Sequence, residues 1–203
     1  MLFRSTPSGK GAIAVVRISG EGSIELVQSI FKGKDLTRQQ SHTIHYGRIV
    51  DGQEVLDEVM VSIFRKPKSF TTEDLVEVSC HGSPFVAEKI IQLLLKKGAR
   101  LANPGEFTLR AFINGRIDLS QAEAIADLIA SSSAAAHAVA MKQMRGGFSH
   151  EIINLRTELL NFASLLELEL DFSEEDVEFA NREKLVSLID NIRKKISPII
   201  EIG

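Results

Sequence analysis

The chain has 203 residues, 44% of them hydrophobic, and a formal net charge of −3, enough apolar material for one large folded domain or two small ones. No window approaches the roughly 18 uninterrupted apolar residues that span a bilayer, and the N-terminus lacks the charged-then-apolar order of a secretory signal; a membrane role is excluded and a cytoplasmic location expected. The single cysteine, Cys80, excludes an intramolecular disulfide and is too few for a thiolate zinc site. The charge is split along the chain: residues 1–149 carry 18 basic and 15 acidic side chains, residues 150–203 carry 6 and 12. Neither part has the strongly basic balance of an autonomous nucleic-acid binder, so any such contact has to be local or shared with another segment.

In chain order, Gly11 to Ser19 reads as a buried strand, and Gly20-Glu21-Gly22-Ser23 turns it into a helix with Ile24, Val27, Ile30 and Phe31 on the inner face. Strands over about 42–50 and 55–64 flank Asp51-Gly52, a strong hairpin signal, and should lie antiparallel. Pro67 ends that hairpin, residues 74–81 make another strand, and Ser83 opens a helix with Val86, Ile90, Leu93 and Leu94 at helical spacing. The segment Pro104 to Glu123 packs Pro-Gly and Asn-Gly around a short amphipathic turn on which Glu106 and Arg110, four apart, should pair. The mixture predicts an α+β domain with a mixed sheet over residues 1–118.

From residue 119 to 203 the pattern is helical. Either Ser120 with Glu123 or Asp118 with Gln121 can form the opening cap of a helix carrying Ile125, Leu128, Ile129, Ala136 and Met144, which Gly146-Gly147 stops. A second helix is expected from about Ser149, with Ile152, Leu155, Leu159, Phe162 and Leu166 as its stripe, and a third, capped by Asn181, with Leu185, Leu188, Ile192 and Ile196. These stripes are wide for a three-helix unit, which points to a partial bundle. The acidic run 171–176 lacks the alternating ligands and central glycine of a calcium loop and reads as a solvated helix break with Ser173 as cap.

Several polar positions stand out. Glu77 lies inside the apolar strand Leu75 to Cys80, on the face of Leu75 and Ser79, and must be at a rim or paired. Its functional use would be to accept two parallel hydrogen bonds from an amidine-like edge such as a pterin presents. Arg17, also in an apolar run, could present its guanidinium to a carboxylate ligand or pair with Glu77. Cys80 and His81, adjacent on a strand, point to opposite faces, which speaks against a thiolate–imidazole pair; Gly82 suits a close backbone approach. No phosphate-cradling Gly-x-x-x-x-Gly-Lys-Ser/Thr occurs, so this chain by itself should not hydrolyse a nucleoside triphosphate.

Several motifs agree with one family. Gly11 with Val16-Arg17-Ile18-Ser19-Gly20, Asp57-Glu58, Pro67 to Asp74, Glu77 with His81-Gly82, Pro104 to Gly115, Asp118 to Ala124 with Asp127-Leu128-Ile129, and Asp171 to Asp176 span nearly the whole chain in order. Together they resemble the N-terminal part of the MnmE (TrmE) family of tRNA-modification GTPases. The resemblance implies a folate-binding and dimerisation domain over 1–118, similar to the tetrahydrofolate-binding domain of aminomethyltransferases. Residues 119–203 would be the first part of a helical domain, the GTPase domain and remaining helices being absent.

The resemblance further implies a 5-formyltetrahydrofolate-type ligand near a homodimer interface, contacted by Arg17 and Glu77, with Arg116 at a position where the family usually has lysine. That change replaces a compact ammonium with a planar fork. Thr72 stands where glycine is usual, Ser83 where a second glycine is common, and the residues before Thr6 do not match the family's opening strand. The full-length family acts with the flavoprotein MnmG on the wobble uridine of tRNA (C5 carboxymethylaminomethyl modification). It uses GTP, potassium and magnesium in the absent G domain, and no catalytic or metal-binding residue is assigned to this chain. The competing readings are a stand-alone folate-dependent one-carbon transferase and a structural dimerisation module in which Arg17, Glu77 and Arg116 form only a polar network.

Overall fold

The computed structural model describes residues 1–4, 6, 9–171 and 182–200. They form two compact units, Met1–Ala122 and Glu123–Gly203, an α+β arrangement followed by helices. The first unit is built on a six-stranded sheet: β1 (Leu2–Arg4), β2 (Ile13–Ser19), β3 (Phe31–Gly33), β4 (Thr43–Asp51), β5 (Glu54–Phe64) and β6 (Leu75–His81), in the order β1-β2-β6-β5-β4-β3. Every ladder is antiparallel, and the parallel element of the expected mixed sheet is a single bridge, Leu2 to Leu101.

The elements form for local reasons. Gly52, at φ 63°, turns β4 into β5 in the left-handed conformation glycine tolerates, and the Asp51–Glu54 register closes a two-residue loop. Helix α1 (Ser23–Gln28) starts behind Gly22 at φ 74°. It is shorter than its apolar spacing predicts: Phe31 leaves the helix and opens β3, pairing with Ile49. Helix α2 (Pro84–Lys96) places proline at its first turn, where a missing N–H costs nothing, and buries Ala87, Ile90, Leu93 and Leu94.

Period-two burial divides the sheet. Ala14, Val16 and Ile18 of β2, Val59, Val61 and Ile63 of β5 and Val76, Val78 and Cys80 of β6 form one core with Ile24 and Val27 of α1 and the inner face of α2. The opposite face carries Val15, Arg17, Ser62, Glu77 and Ser79, all half-buried, and it is this face that holds the charged positions. Cys80 is buried, with its Sγ 3.4 Å from the Ala14 carbonyl. Exposed His81 instead has Nδ1 2.6 Å from Asp57, whose other oxygen accepts from the His81 amide at 2.8 Å.

In the connector, α3 (Glu106–Ile113) is followed by α4 (Leu119–Ala130). Of the two possible caps the structure uses Asp118 and Gln121: Asp118 Oδ1 accepts from the Gln121 amide at 2.8 Å and Gln121 Oε1 from the Asp118 amide at 3.0 Å.

In the second unit, the predicted single alanine-rich helix is two. Helix α4 ends at Ala130, where Ser131 Oγ donates to the Leu128 carbonyl at 2.8 Å, and Ser133 Oγ caps α5 (Ala134–Met144) by accepting from the Ala136 amide at 3.2 Å. Consecutive serine hydroxyls offer the backbone partners that interrupt a helix. Helix α5 packs on α6 (Gly147–Asp171), which begins two residues before Ser149, and α6 packs on α7 (Arg182–Ile200). Leu155 and Phe162 are buried, but Ile152, Leu159, Leu166 and Ile189 remain exposed. The expected caps Asn181 and Ser173, and the rest of the acidic run beyond Asp171, lie outside the described residues.

Gly82 shows the close approach expected of it. Its carbonyl accepts from the Gly11 amide and its amide donates to the Ala12 carbonyl, both at 3.0 Å, and a methyl group there would overlap the Gly11 carbonyl and come to 2.9 Å from the Ile13 nitrogen. The obstacle is backbone, which cannot swing aside, so Gly82→Ala is expected to destabilise the protein by about 2 kcal/mol. Urea denaturation measures this; a change within 0.5 kcal/mol (on the order of a neutral surface substitution) would contradict the packing described.

Candidate functional site

The central pairing of β2 with β6 sets Arg17 directly opposite Glu77, sixty residues away. Arg17 Nε and Nη2 both converge on Glu77 Oε1, at 2.8 and 2.6 Å, while Oε2 has no recorded protein partner among the described residues. The two side chains are 31% and 25% exposed, sheltered but open to a ligand. Phe107, on α3, lies against the guanidinium with its ring centre 5.7 Å away. Arg17 therefore pairs with Glu77, and the pair still offers one carboxylate oxygen and a planar aromatic wall.

Arg116 is held elsewhere. It donates to the Ser69 carbonyl and stacks on Phe70 at 5.4 Å, and no contact to Arg17 or Glu77 is recorded. It lines a cavity of about 580 Å³ whose other walls include His42, Phe64, Lys68, Phe70, Thr72 and Asn114. Composition and periodicity single out none of these neighbours. Lys68, Phe70, Thr72 and Asn114 carry a sequence signal only as members of the Pro67 to Asp74 and Pro104 to Gly115 motifs, and His42 and Phe64 only as end positions of predicted strands. Thr72 adopts φ 59°, a left-handed conformation unfavourable for a β-branched residue, which gives a physical reason for the glycine usual there.

A charge cluster fixes α3 above this face. Glu106, only 8% exposed, accepts from both terminal nitrogens of Arg100, from the Asn103 amide at 2.8 Å, and from Arg110 Nη2 at 3.1 Å. Arg110 Nη1 reaches on to both oxygens of Glu73, at 2.8 and 2.9 Å. Glu73 also accepts from Ser19 Oγ at 2.9 Å, so the Thr71 hydroxyl, 2.5 Å from Ser19 Oγ, is the donor in that last bond. Asn114 donates to the Thr71 carbonyl at 2.7 Å. The predicted Glu106–Arg110 pair is thus one link in a chain joining the end of β2, the 65–74 loop and α3.

The comparisons with known proteins agree with this arrangement. The family model described as "GTP-binding protein TrmE N-terminus" matches residues 3–116, and that described as "MnmE helical domain" matches residues 119–202. An antiparallel-sheet domain followed by a helical one is the class of protein that the fold and these matches define. The chain belongs to the MnmE (TrmE) family. Proteins named tRNA modification GTPase MnmE are 59% identical in Flavobacterium johnsoniae and 57% in Christiangramia forsetii, each over 200 residues. One from Parabacteroides distasonis is 51% identical over 203 residues. Each alignment covers 97% of this chain but only 42–44% of the relative, so the chain spans less than half the length of the curated relatives it matches.

The hydrogen bonds from Arg100 hold the Glu106 carboxyl down at about 2, against an ordinary 4.5, helped by the Asn103 amide and Arg110 and opposed by burial. A depressed carboxyl pKa stabilises the fold above the unfolded value and loses that contribution as pH falls through the folded one. Glu106→Gln is therefore expected to cost about 2 kcal/mol at neutral pH. The difference from wild type should shrink as pH drops below 4.5 toward 2. Urea midpoints across that range test it, and a pH-independent difference would refute the assignment.

Proposed function

We propose that this chain is the folate-binding and dimerising part of a tRNA-modification GTPase, with a 5-formyltetrahydrofolate-type ligand held by Arg17, Glu77 and Arg116. The observation that carries the reading is the state of Glu77: one oxygen is fixed by the arginine fork, the other has no recorded partner among the described residues, and the Phe107 ring lies against the same arginine. A pterin presents N–H donors at the edge of a flat ring, which suit the remaining carboxylate oxygen and an aromatic surface. Arg116, with its guanidinium carbon 5.4 Å from the Phe70 ring centre, is a second anchor for the ligand, as a planar fork rather than a lysine point charge.

Residues 1–118 are the proposed folate and dimer domain, and 119–203 the first part of the helical domain. The exposed apolar residues of α6 and α7 would be covered by the family's further helices. GTP, potassium and magnesium would act in the family's G domain. MnmG and a tRNA wobble uridine are the proposed partner and target, and the cytoplasm the proposed location; among the described residues no helix is long and apolar enough to cross a membrane. For the homodimer, the outer sheet face supplies a surface: Ile44 and Tyr46 of β4 and Met60 of β5 are exposed, and Tyr46 and Met60 are cross-strand neighbours. Met60 also opposes Ser79, two residues from Glu77, so such an interface would border the ligand.

Titration with 5-formyltetrahydrofolate should show saturable binding that weakens about 30-fold or more in Glu77→Gln, the loss of one charge-assisted pair. No saturation, or equal affinity in the variant, would sink the folate assignment. Sedimentation at micromolar concentration should show a dimer that the double substitution Ile44→Glu and Tyr46→Glu converts to monomer. A wild-type monomer would refute the dimer.

A further inference from the structure

The face bearing Glu77 runs directly toward the cavity of Arg116. Two residues back along β6 is Leu75, on the same face, and its cross-strand neighbour on β5 is Phe64, which walls the cavity. That step is about 7 Å along the strand. Among the described residues, the charged side chains of the cavity wall are of one kind: it includes Lys68 and Arg116, and no aspartate or glutamate.

Neither cation is neutralised by the fold. Lys68 is exposed and has no recorded side-chain partner, and Arg116 bonds to a carbonyl and a ring but to no carboxylate, among the described residues. Of the other arginines in the same unit, Arg17, Arg38, Arg48, Arg100 and Arg110 pair with acidic partners, whereas Arg65, like Arg116, bonds to carbonyls. Phe64 and Phe70 add flat apolar surface between the charges. A wall of aromatic rings with two uncommitted cations suits a flexible chain of carboxylates attached to an aromatic group.

We infer that this cavity receives the oligoglutamate tail of the ligand, Lys68 and Arg116 meeting its carboxylates, so that the site discriminates folates by tail length. The inference rests on the folate reading above. Each added γ-linked glutamate brings one more carboxylate, and a cavity of about 580 Å³ leaves room beyond the first. Lys68 is a tail-binding and specificity residue; the pterin end belongs to Glu77.

The test compares the monoglutamate and triglutamate forms of 5-formyltetrahydrofolate, titrated against wild type, Lys68→Gln and Glu77→Gln. Wild type should bind the triglutamate about tenfold more tightly, the ratio should fall with added salt, and in Lys68→Gln it should approach one. Glu77→Gln should weaken both lengths by a similar factor and preserve the ratio. Because Lys68 is exposed without side-chain bonds, its variant should keep the wild-type circular dichroism and melting temperature. Equal wild-type affinity for both lengths, or an unchanged ratio in Lys68→Gln, would overturn the tail assignment while leaving the folate reading intact. Failure to bind at either length would overturn both.

Discussion

One buried carboxylate holds the candidate site in place. Glu106 gathers Arg100, Arg110 and the Asn103 amide around itself, and a charge so placed is tolerable only because every approach to it is a donor. Through Arg110 the same cluster reaches Glu73 and Ser19, so the orientation of α3 is tied to the end of β2 and to the 65–74 loop together. Phe107 against Arg17, Asn114 on the Thr71 carbonyl and Arg116 on Phe70 all follow from that orientation. Loosening the cluster would therefore disturb both ends of the site, although none of its charges lines the cavity of Arg116.

The second constraint is the pairing of β2 with β6 in the middle of the sheet. It places Arg17 and Glu77 in register on a half-buried face, while alternate residues of both strands fill the core. A shift by one residue would bury both charges against α1 and α2, so the hydrophobic alternation that stabilises the domain also fixes where its carboxylate faces. Fold stability and the placement of the Arg17–Glu77 pair are set here by the same register. This also explains how one oxygen of Glu77 can stay open: the directly opposed arginine spends both of its contacting nitrogens on Oε1.

The family's three proposed contact residues are not equivalent in this chain. Arg17 serves mainly to hold Glu77, and Arg116 is held by the 65–74 loop. That loop carries its own departure: Thr72 occupies a left-handed conformation that the surrounding bonds of Ser69, Thr71 and Glu73 enforce. The cation at residue 116 and the backbone at residue 72 thus sit on one wall of one cavity, where changes to either would be felt by the other.

Much of the architecture was legible in the residues. Apolar runs marked β2 and β6, the Asp51-Gly52 pair marked the hairpin of β4 and β5, and the spacing of Glu106 and Arg110 announced their ion pair, because these signals depend on neighbours a few positions away. The short edge strands β1 and β3, the departure of Phe31 from its helix and the break at Ser131 to Ser133 were not anticipated. Strand edges are decided by distant partners, and serines are permitted in helices until packing favours their capping bonds. For the site, the sequence determined which charged residues interrupt apolar runs and, through resemblance, which three to single out. Only the tertiary structure decided that Arg17 closes on Glu77 while Arg116 opens a separate cationic cavity with Lys68. Those relationships span forty to sixty residues of chain and are set by strand register and by the docking of α3, neither of which any local pattern encodes.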